Sequence, residues 1–315
     1  MILLFACATP SESKHLDTAD TGEPDPAAEW EAAAGWAMAD IPPGTFLMGS
    51  PPDEVGRMVP PELGGDGTDR EVQHEVTLTH AMRVGVFEVG SAQYAAVLGY
   101  DPATRPCDEP SCPVESLSWH QAAAFTVAAS EAAGLTACYA CEGDAAAVTC
   151  AQTLSPYACD GYRLPTEAEW EYFARAGATG AFLSGGGIPA GLERECSEDL
   201  TLDDGTRLSD AAWWCGNVTA PQPAGGRPPN AWGLYDITGN VHEWTTDWYS
   251  ATWYLEPEAN VPDPDGPPEG EEKVRRGGGY DYDPWRLRLA YRGWHVPDEP
   301  GGNVGFRVMR LRGVD

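Results

Sequence analysis

Short runs of alternating hydrophobic and polar residues predict strands near both ends of the chain. Residues 41–49 form a strand pattern around a Pro-Gly turn, and residues 72–89 contain further period-two stretches. Residues 178–300 are rich in Gly, Pro, Trp and Asp and show little periodicity, so we expect turns and short strands there. A last strand is predicted over residues 305–309.

Two capping boxes predict the main helices. Ser118 and Gln121 are spaced so that each side chain can bond the other's backbone N–H, which predicts a helix over residues 118–133. Thr166 and Glu169 repeat this spacing before a second helix with one buried face, and a glycine follows each helix as a stop signal. The patterns together indicate an irregular, loop-rich α+β protein with short antiparallel strands and two main helices.

The composition allows a substantial core and argues against several classes of function. The 315 residues are 42% hydrophobic and include 12 Trp, which is enough for one folded domain. Lys and Arg number 19 against 49 Asp and Glu, so the net charge of −30 argues against nucleic-acid partners. No apolar run reaches the about 18 residues that a membrane-spanning helix requires, so no transmembrane segment is predicted.

The amino terminus resembles the end of a bacterial export signal. Residues 4–7 are similar to a lipobox, although the preceding apolar run is short and lacks a basic region. We therefore predict that residues 1–7 are a signal-peptide remnant with a lipidation site at Cys7, which would be the only attachment to a membrane. Residues 8–34 read as a flexible acidic tether, and residues 35–315 as the folded domain. The alternative is an ordinary apolar terminus with a stray cysteine.

Apart from Cys7, the chain has an even set of eight cysteines that can pair completely: Cys107, Cys112, Cys138, Cys141, Cys150, Cys159, Cys196 and Cys215. Proximity pairs the first two and the last two. For the middle four we favour 138 with 159 and 141 with 150, but their connectivity is open, and a metal site with four sulfurs is the alternative. Disulfides persist in oxidising compartments, so we expect an exported protein, either a bacterial cell-envelope lipoprotein or an extracellular one.

Four segments carry a resemblance to a known family. They cover residues 41–50 (IPPGTFLMGS), 161–177 (GYRLPTEAEWEYFARAG), 230–249 (NAWGLYDITGNVHEWTTDWY), and 276–292 together with 305–310 (GFRVMR). In content, order and spacing they resemble the formylglycine-generating enzyme, or sulfatase-modifying factor, family. This resemblance implies a variant of the C-type lectin fold. Most of the shared residues are expected to hold that fold, with Arg163 pairing with Glu167 or Glu169.

The resemblance also implies a catalytic site, which this chain does not retain in full. The family's oxidase binds Cu(I) through two cysteines after a Gly-Gly-Ser-Tyr-like strand, and Cys is a fitting ligand for this soft ion. The two corresponding positions here are Tyr282 and Leu287. Copper chemistry is therefore not expected. His242, Tyr282 and His295 are the candidates for a relocated metal site, while ordinary core or surface histidines are the alternative.

A calcium site is the second feature that the resemblance implies. It would use the side chains of Asp236 and Glu243 with the carbonyl groups of Gly239 and Val241. Carboxylate and carbonyl oxygens are the ligands that Ca²⁺ prefers. The alternative for this stretch is a capped turn with solvated acids.

The resemblance places the family's substrate groove at an aromatic, arginine-containing loop. The candidate groove residues are Tyr280, Trp285, Arg286, Arg288, Arg292 and Trp294. The arginines could meet a carboxylate or an acidic glycan, but the slightly favoured alternative is that they neutralise nearby acids such as Asp281, Asp283, Asp298 and Glu299.

These observations favour one function and leave a second open. The favoured hypothesis is an exported binding or structural module, a pseudoenzyme without copper thiolates, whose ligand is an unidentified protein, peptide or glycan. The other is an oxidoreductase of the same family that acts on a protein cysteine or a small molecule through a relocated metal. Fold alone does not decide between them.

Overall fold

The computed structural model describes residues 25–58, 68–105 and 107–312. The helices in this part are α1 (Pro26–Ala33), α2 (Ser91–Leu98), α3 (Trp119–Ala132), α4 (Glu167–Arg175) and α5 (Leu208–Ala211). The strands are β1 (Met38–Ile41), β2 (Gly44–Met48), β3 (His74–Leu78), β4 (Met82–Gly85), β5 (Tyr139–Glu142), β6 (Thr149–Gln152), β7 (His242–Trp248), β8 (Lys273–Arg276), β9 (Gly293–His295), β10 (Val304–Gly305) and β11 (Met309–Leu311).

The described strands form two small sheets and two hairpins. The first sheet has the antiparallel order β1-β4-β11, and the second has the order β10-β7-β8-β9, in which only β10 and β7 run parallel. Strands β2 and β3 form one antiparallel pair, and β5 and β6 form another. The loop-rich α+β architecture with short antiparallel strands is therefore confirmed, although the predicted final strand is split into β10 and β11.

Both predicted capping boxes begin a helix as expected. The Ser118 hydroxyl accepts from the Gln121 N–H while the Gln121 side chain accepts from the Ser118 N–H, and Thr166 with Glu169 does the same before α4. Arg163 pairs with Glu169, the second of its two expected partners, through two hydrogen bonds of 2.6 and 2.7 Å. The sequence missed α1 and α2, which are only 8 residues long each, and α5, which has 4 residues.

The predicted tether boundary was wrong, because residues 25–34 belong to the folded domain. Asp25 caps α1, and Ala27 on that helix is fully buried in the core. Glu31 on the same helix is 1% exposed and bonds the guanidinium groups of Arg83 (2.6 Å) and Arg310 (3.2 Å). The remainder of the predicted tether, the lipobox-like segment and Cys7 lie outside the described residues.

Four disulfides join the eight cysteines of the described part. They are Cys107–Cys112, Cys138–Cys159, Cys141–Cys150 and Cys196–Cys215, which confirms the favoured pairing and removes the alternative of a four-sulfur metal site. The bridge Cys138–Cys159 joins the residue before β5 to a residue beyond the hairpin. The bridge Cys141–Cys150 joins strands β5 and β6 to each other. Four disulfides are typical of proteins that fold in an oxidising environment. Among the described helices, none has the length and apolar character needed to cross a membrane.

Candidate functional site

The loop after β8 carries most of the residues predicted for the active site or groove. Gly277 and Gly278 have φ angles of 89° and 77°, a region that favours glycine. A Cβ at Gly278 would lie 2.6 Å from Cδ2 of Leu287 and 2.8 Å from the Arg286 carbonyl oxygen. The glycine at 278 therefore lets the start of the loop pack directly against its later part.

The two positions that correspond to the copper-binding cysteines hold no sulfur ligand. Leu287 is 1% exposed and packs in the core, while the Tyr282 hydroxyl accepts a 3.1 Å hydrogen bond from Nη2 of Arg275. Every cysteine in the described part is oxidised to a disulfide. These residues therefore offer no thiolate pair of the kind that binds Cu(I).

His242 is the most deeply buried of the three catalytic candidates. Its Nδ1 lies 3.2 Å from the Arg276 carbonyl oxygen, which assigns the proton to Nδ1 and leaves Nε2 as an acceptor without a partner among the described residues. Burial lowers the pKa of His242 well below its usual range, and the charge of Arg275 lowers it further. The imidazole packs edge-on against Tyr282 with 4.8 Å between ring centroids. His242 is therefore a neutral, buried base beside a tyrosine.

His295 does not join this pair. Its ring stacks on Trp244, with 6.0 Å between the centroids, and burial together with Arg275 lowers the pKa of His295. Residues 25–58, 68–105 and 107–312 contain no group of three or more His, Cys, Asp or Glu side chains arranged to hold a metal ion. The structure thus brings His242 and Tyr282 together without assembling a metal site around them.

The carboxylates predicted to bind calcium are engaged with other groups. Both oxygens of Glu243 accept hydrogen bonds from Arg307, the shortest being 2.7 Å, and Oε2 also accepts from the Trp170 indole at 2.8 Å. Oδ2 of Asp236 accepts from the Gly225 N–H at 2.6 Å, while its buried Oδ1 has no partner in the described part. A guanidinium already neutralises Glu243, so this carboxylate is not free to bind a calcium ion in this arrangement.

A third carboxyl group, which the sequence did not reveal, lies in the same cluster. Glu88 is 1% exposed and accepts from the Asn240 side chain (2.7 Å) and from the Val241 N–H (3.1 Å). Burial and the nearby carboxylates raise the pKa of Glu88 well above its usual range, and burial also raises that of Asp236. Burial and mutual repulsion therefore disfavour the charged forms of these two groups where no cation lies beside them.

Two arginines predicted for the ligand groove are instead buried in ion pairs. Arg288 forms two 2.8 Å hydrogen bonds with Glu71 and one of 2.6 Å with Glu54. Arg292 binds both oxygens of Glu167 at 2.7 and 2.8 Å. Both guanidinium groups are 0% exposed, so neither can meet a ligand. The alternative that acids nearby in sequence neutralise the arginines was wrong for Arg288 and Arg292, but it holds for Arg286, whose Nε lies 3.6 Å from Oδ1 of Asp283.

Only part of the predicted groove remains available at the surface. Tyr280 and Trp285 are buried, at 4% and 6% exposure. Tyr282, Arg286 and Trp294 are half-buried. The Arg286 guanidinium carbon lies 4.7 Å from the centroid of the Tyr282 ring, which is within the range of a cation–π contact. The accessible portion is therefore a small aromatic surface with one guanidinium, which is paired with Asp283.

A second candidate site, which the sequence analysis did not identify, is a cavity of about 970 Å³ beside the first residue of β8. We call it the Lys273 cavity. Its lining includes Trp119, Thr246, Trp248, Trp253, Glu258 and Lys273. Residues 150–155 of the disulfide-bonded β5–β6 hairpin form another part of the wall.

Lys273 lines this cavity, and its amine lies over two indole rings. Its Nζ is 3.7 Å from the centroid of the Trp248 ring and 4.5 Å from that of Trp119, and it donates a 2.7 Å hydrogen bond to the Thr246 carbonyl oxygen. Burial lowers the pKa of Lys273 to about 7, and the charge of Asp247 opposes that fall. The indole faces also favour the ammonium form. Both protonation states of the amine are therefore accessible near neutral pH.

One signal in the sequence could have pointed to this residue. Of the 19 Lys and Arg residues in the chain, only Lys14 and Lys273 are lysines. A lone lysine among many arginines marks a position where the two cations are not equivalent, because only lysine can lose its proton in proteins.

A family model covers most of the chain, and two curated relatives match part of it. Residues 25–312 match the sulfatase-modifying factor enzyme 1-like domain. The formylglycine-generating enzyme of Streptomyces coelicolor is 39% identical over 158 residues, which cover 47% of this chain and 46% of that enzyme. The enzyme of the same name from Thermomonospora curvata is 32% identical over 212 residues, covering 65% of this chain and 58% of the relative. Both alignments therefore span less than two thirds of the relatives' lengths.

A solved structure supports the fold over most of the chain. Treponema denticola variable protein 1 superposes with a TM-score of 0.65 at 24% identity and covers 87% of this chain and 95% of its own. At this identity the likeness concerns the fold alone. It is consistent with the irregular α+β architecture described above.

Proposed function

The chain belongs to the sulfatase-modifying factor enzyme 1-like family, and from that premise we propose that it is an exported binding or structural module without copper-dependent cysteine oxidation. One observation carries the proposal: tyrosine and leucine replace the two cysteines, and the cysteines of the described part are all in disulfides. A thiolate pair is what the soft ion Cu(I) requires. The scaffold is thus retained while the ligands of that reaction are missing.

The proposed location follows from the disulfides. Four bridges within one domain would be reduced in a cytosol kept at a low thiol–disulfide potential. Export lets them form and persist. Attachment through a lipid at Cys7 would place the protein at the cell envelope, and a free form would be extracellular.

The proposed recognition surface is the accessible part of the loop after β8. Tyr282 and Arg286 are half-buried there and form a cation–π pair, so an aromatic face and a guanidinium are displayed together. Loops on a rigid frame are common positions for recognition residues. A protein, peptide or glycan with a carboxylate suits this surface, since arginine binds carboxylates with two parallel hydrogen bonds.

A thiol count on the purified protein lacking Cys7 tests the absence of thiolate chemistry. The protein is alkylated under denaturing, non-reducing conditions and its intact mass is measured, with a reduced sample as the control that labels all cysteines. We expect no label without reductant, no retention of Cu(I), and no conversion of a cysteine-containing peptide. The Streptomyces coelicolor enzyme serves as the positive control for turnover.

Two free thiols together with peptide conversion would overturn the proposal and favour the oxidoreductase. Conversion of the peptide without any free thiol would also overturn it, and would make His242 and Tyr282 the candidate catalytic residues. In that case Tyr282→Phe, which keeps the ring but removes the hydroxyl, should abolish turnover while leaving the melting temperature unchanged.

A further inference from the structure

The Lys273 cavity lies outside the loop that the proposed function uses. It is lined by Thr246 and Trp248 of β7, by Lys273 of β8, and by residues of the disulfide-bonded hairpin and of the segment 253–268. A volume of about 970 Å³ is at the upper end of the range for cavities that hold small organic ligands.

Lys273 has an unusual set of contacts for a buried lysine. The side chain is 4% exposed, yet no ion pair joins its amine to a carboxylate in the described part of the chain. Its one hydrogen bond goes to the Thr246 carbonyl oxygen, at 2.7 Å. A buried ammonium normally requires a paired negative charge. The site is therefore built as well for a neutral amine as for a cation.

In its neutral form the amine keeps a lone pair for a ligand. One N–H points to the Thr246 carbonyl oxygen, and that bond restricts the orientation of the nitrogen. The amine also lies over the ring faces of Trp119 and Trp248. A desolvated lysine of this kind is a nucleophile, which an arginine in the same place would not be.

We infer that Lys273 binds a carbonyl compound covalently, as an imine, within the Lys273 cavity. The nitrogen lone pair attacks the carbonyl carbon and a C–N bond forms, giving a carbinolamine. Loss of water then forms the C=N bond: the carbonyl oxygen leaves with the two protons that the amine carried. The condensation is redox-neutral and needs no further reactant, and hydrolysis reverses it.

The cavity lining indicates which carbonyl compounds fit. Trp248 and Trp253 are half-buried and offer flat apolar faces to a planar body. Glu256, Glu258 and Asp265 are exposed at the same cavity, and His120 is held by Asp298 through a 2.9 Å contact. The carboxylates repel an anion. The expected ligand is therefore a neutral or cationic aromatic aldehyde or ketone, not a keto acid.

Reductive trapping on the full chain tests this inference. The protein is incubated at neutral pH with benzaldehyde and cyanoborohydride, which converts an imine to a stable secondary amine, and the adduct is located by peptide mass mapping. Lys14 is the internal reference because it is the other lysine of the chain. We expect at least about tenfold more adduct on Lys273 than on Lys14, since an ordinary lysine is almost fully protonated at this pH. Equal labelling, or labelling of Lys14 alone, would overturn the inference.

Matched variants separate the chemistry from loss of folding. Lys273→Arg keeps the positive charge and a donor but removes the nucleophile, so it should lose the adduct while its circular dichroism stays that of the wild type. Glu258→Gln leaves Lys273 in place and weakens the negative rim. With it, 4-carboxybenzaldehyde, a poor probe for the wild type, should label Lys273 several-fold better. If the anionic and neutral probes label the wild type equally, the assignment of ligand charge is wrong.

The outcome is independent of the copper question. A thiol count that overturned the proposed function would leave trapping at Lys273 unaffected, and a failure to trap would leave the thiol count unaffected. The two experiments therefore fail separately.

Discussion

The substitution Glu71→Gln tests whether Arg288 supports the fold or serves a ligand. Glu71 is fully buried, binds Arg288 through two 2.8 Å hydrogen bonds, and accepts a 2.7 Å bond from the Ser50 hydroxyl. Glutamine keeps the shape of the side chain, but it removes the negative charge. It also places a donating NH2 group where a carboxylate oxygen accepts hydrogen bonds. Removing one partner of a buried ion pair costs about 3–5 kcal/mol. Glu54 still pairs with Arg288, at 2.6 Å between Oε1 and Nη1. We therefore expect the free energy of unfolding to fall by about 3 kcal/mol, the lower end of this range.

The pH dependence of this loss has a definite sign. Burial acts to raise the pKa of Glu71, but the charge and hydrogen bonds of Arg288 outweigh it and hold the pKa below the ordinary value of 4.5. The stabilisation is therefore present above pH 4.5 and is lost as the pH falls through the folded-state pKa. The wild type and Glu71→Gln should differ fully at neutral pH and converge in acid.

Urea denaturation with the disulfides intact measures the effect, and Arg286→Gln is the matched control. Arg286 has a side chain that is 33% exposed and lies 3.6 Å from Asp283. Exposed pairs of this kind contribute about 0–1 kcal/mol. If Glu71→Gln lowers the free energy of unfolding by less than Arg286→Gln does, Glu71 does not hold Arg288 in the core, and Arg288 is again a candidate residue of the ligand groove.

Two further predictions concern calcium and the amino-terminal boundary. Glu243→Gln should lower the free energy of unfolding by about 3 kcal/mol, because it leaves the charge of Arg307 without its partner. Millimolar calcium should not change the melting temperature of the wild type. A higher melting temperature with calcium would support the predicted calcium site. A chain that begins at residue 35 should melt, by calorimetry, at a lower temperature than one that begins at residue 25, because it lacks Glu31 and its bonds to Arg83 and Arg310. Equal melting temperatures would place α1 outside the cooperative fold.

The features that the sequence predicted well depend on contacts between near neighbours. The Ser118 and Thr166 capping boxes each close within three residues, so the spacing alone determines the helix start to within one residue. Arg163 and Glu169 are six residues apart, and the start of α4 brings them together. The family resemblance supplied the architecture beyond these local signals.

The features that were missed depend on partners far away in the chain. Arg288 pairs with Glu71, 217 residues distant, and Arg292 with Glu167, 125 residues distant. Nothing in the local pattern around either arginine distinguishes a buried structural cation from an exposed one. The expected partners were acids close in sequence, but the fold pairs both arginines with distant glutamates instead. The same holds for Glu88, whose burial among other carboxyl groups only the folded chain reveals.

The distant arginines also explain how a fold with so little regular structure satisfies its backbone. Arg307 donates to the carbonyl oxygens of Gly85, Val86 and Tyr235 while it pairs with Glu243, so one side chain joins the end of β4, the loop at Tyr235 and strand β7. The planar guanidinium with five donors suits this task, and the single ammonium of lysine does not. Structural demand therefore favours arginine throughout this acidic chain. A lysine at position 273, where a cavity opens and no carboxylate bonds the amine in the described part, needs a different reason, and the ability to give up a proton is the property that arginine lacks.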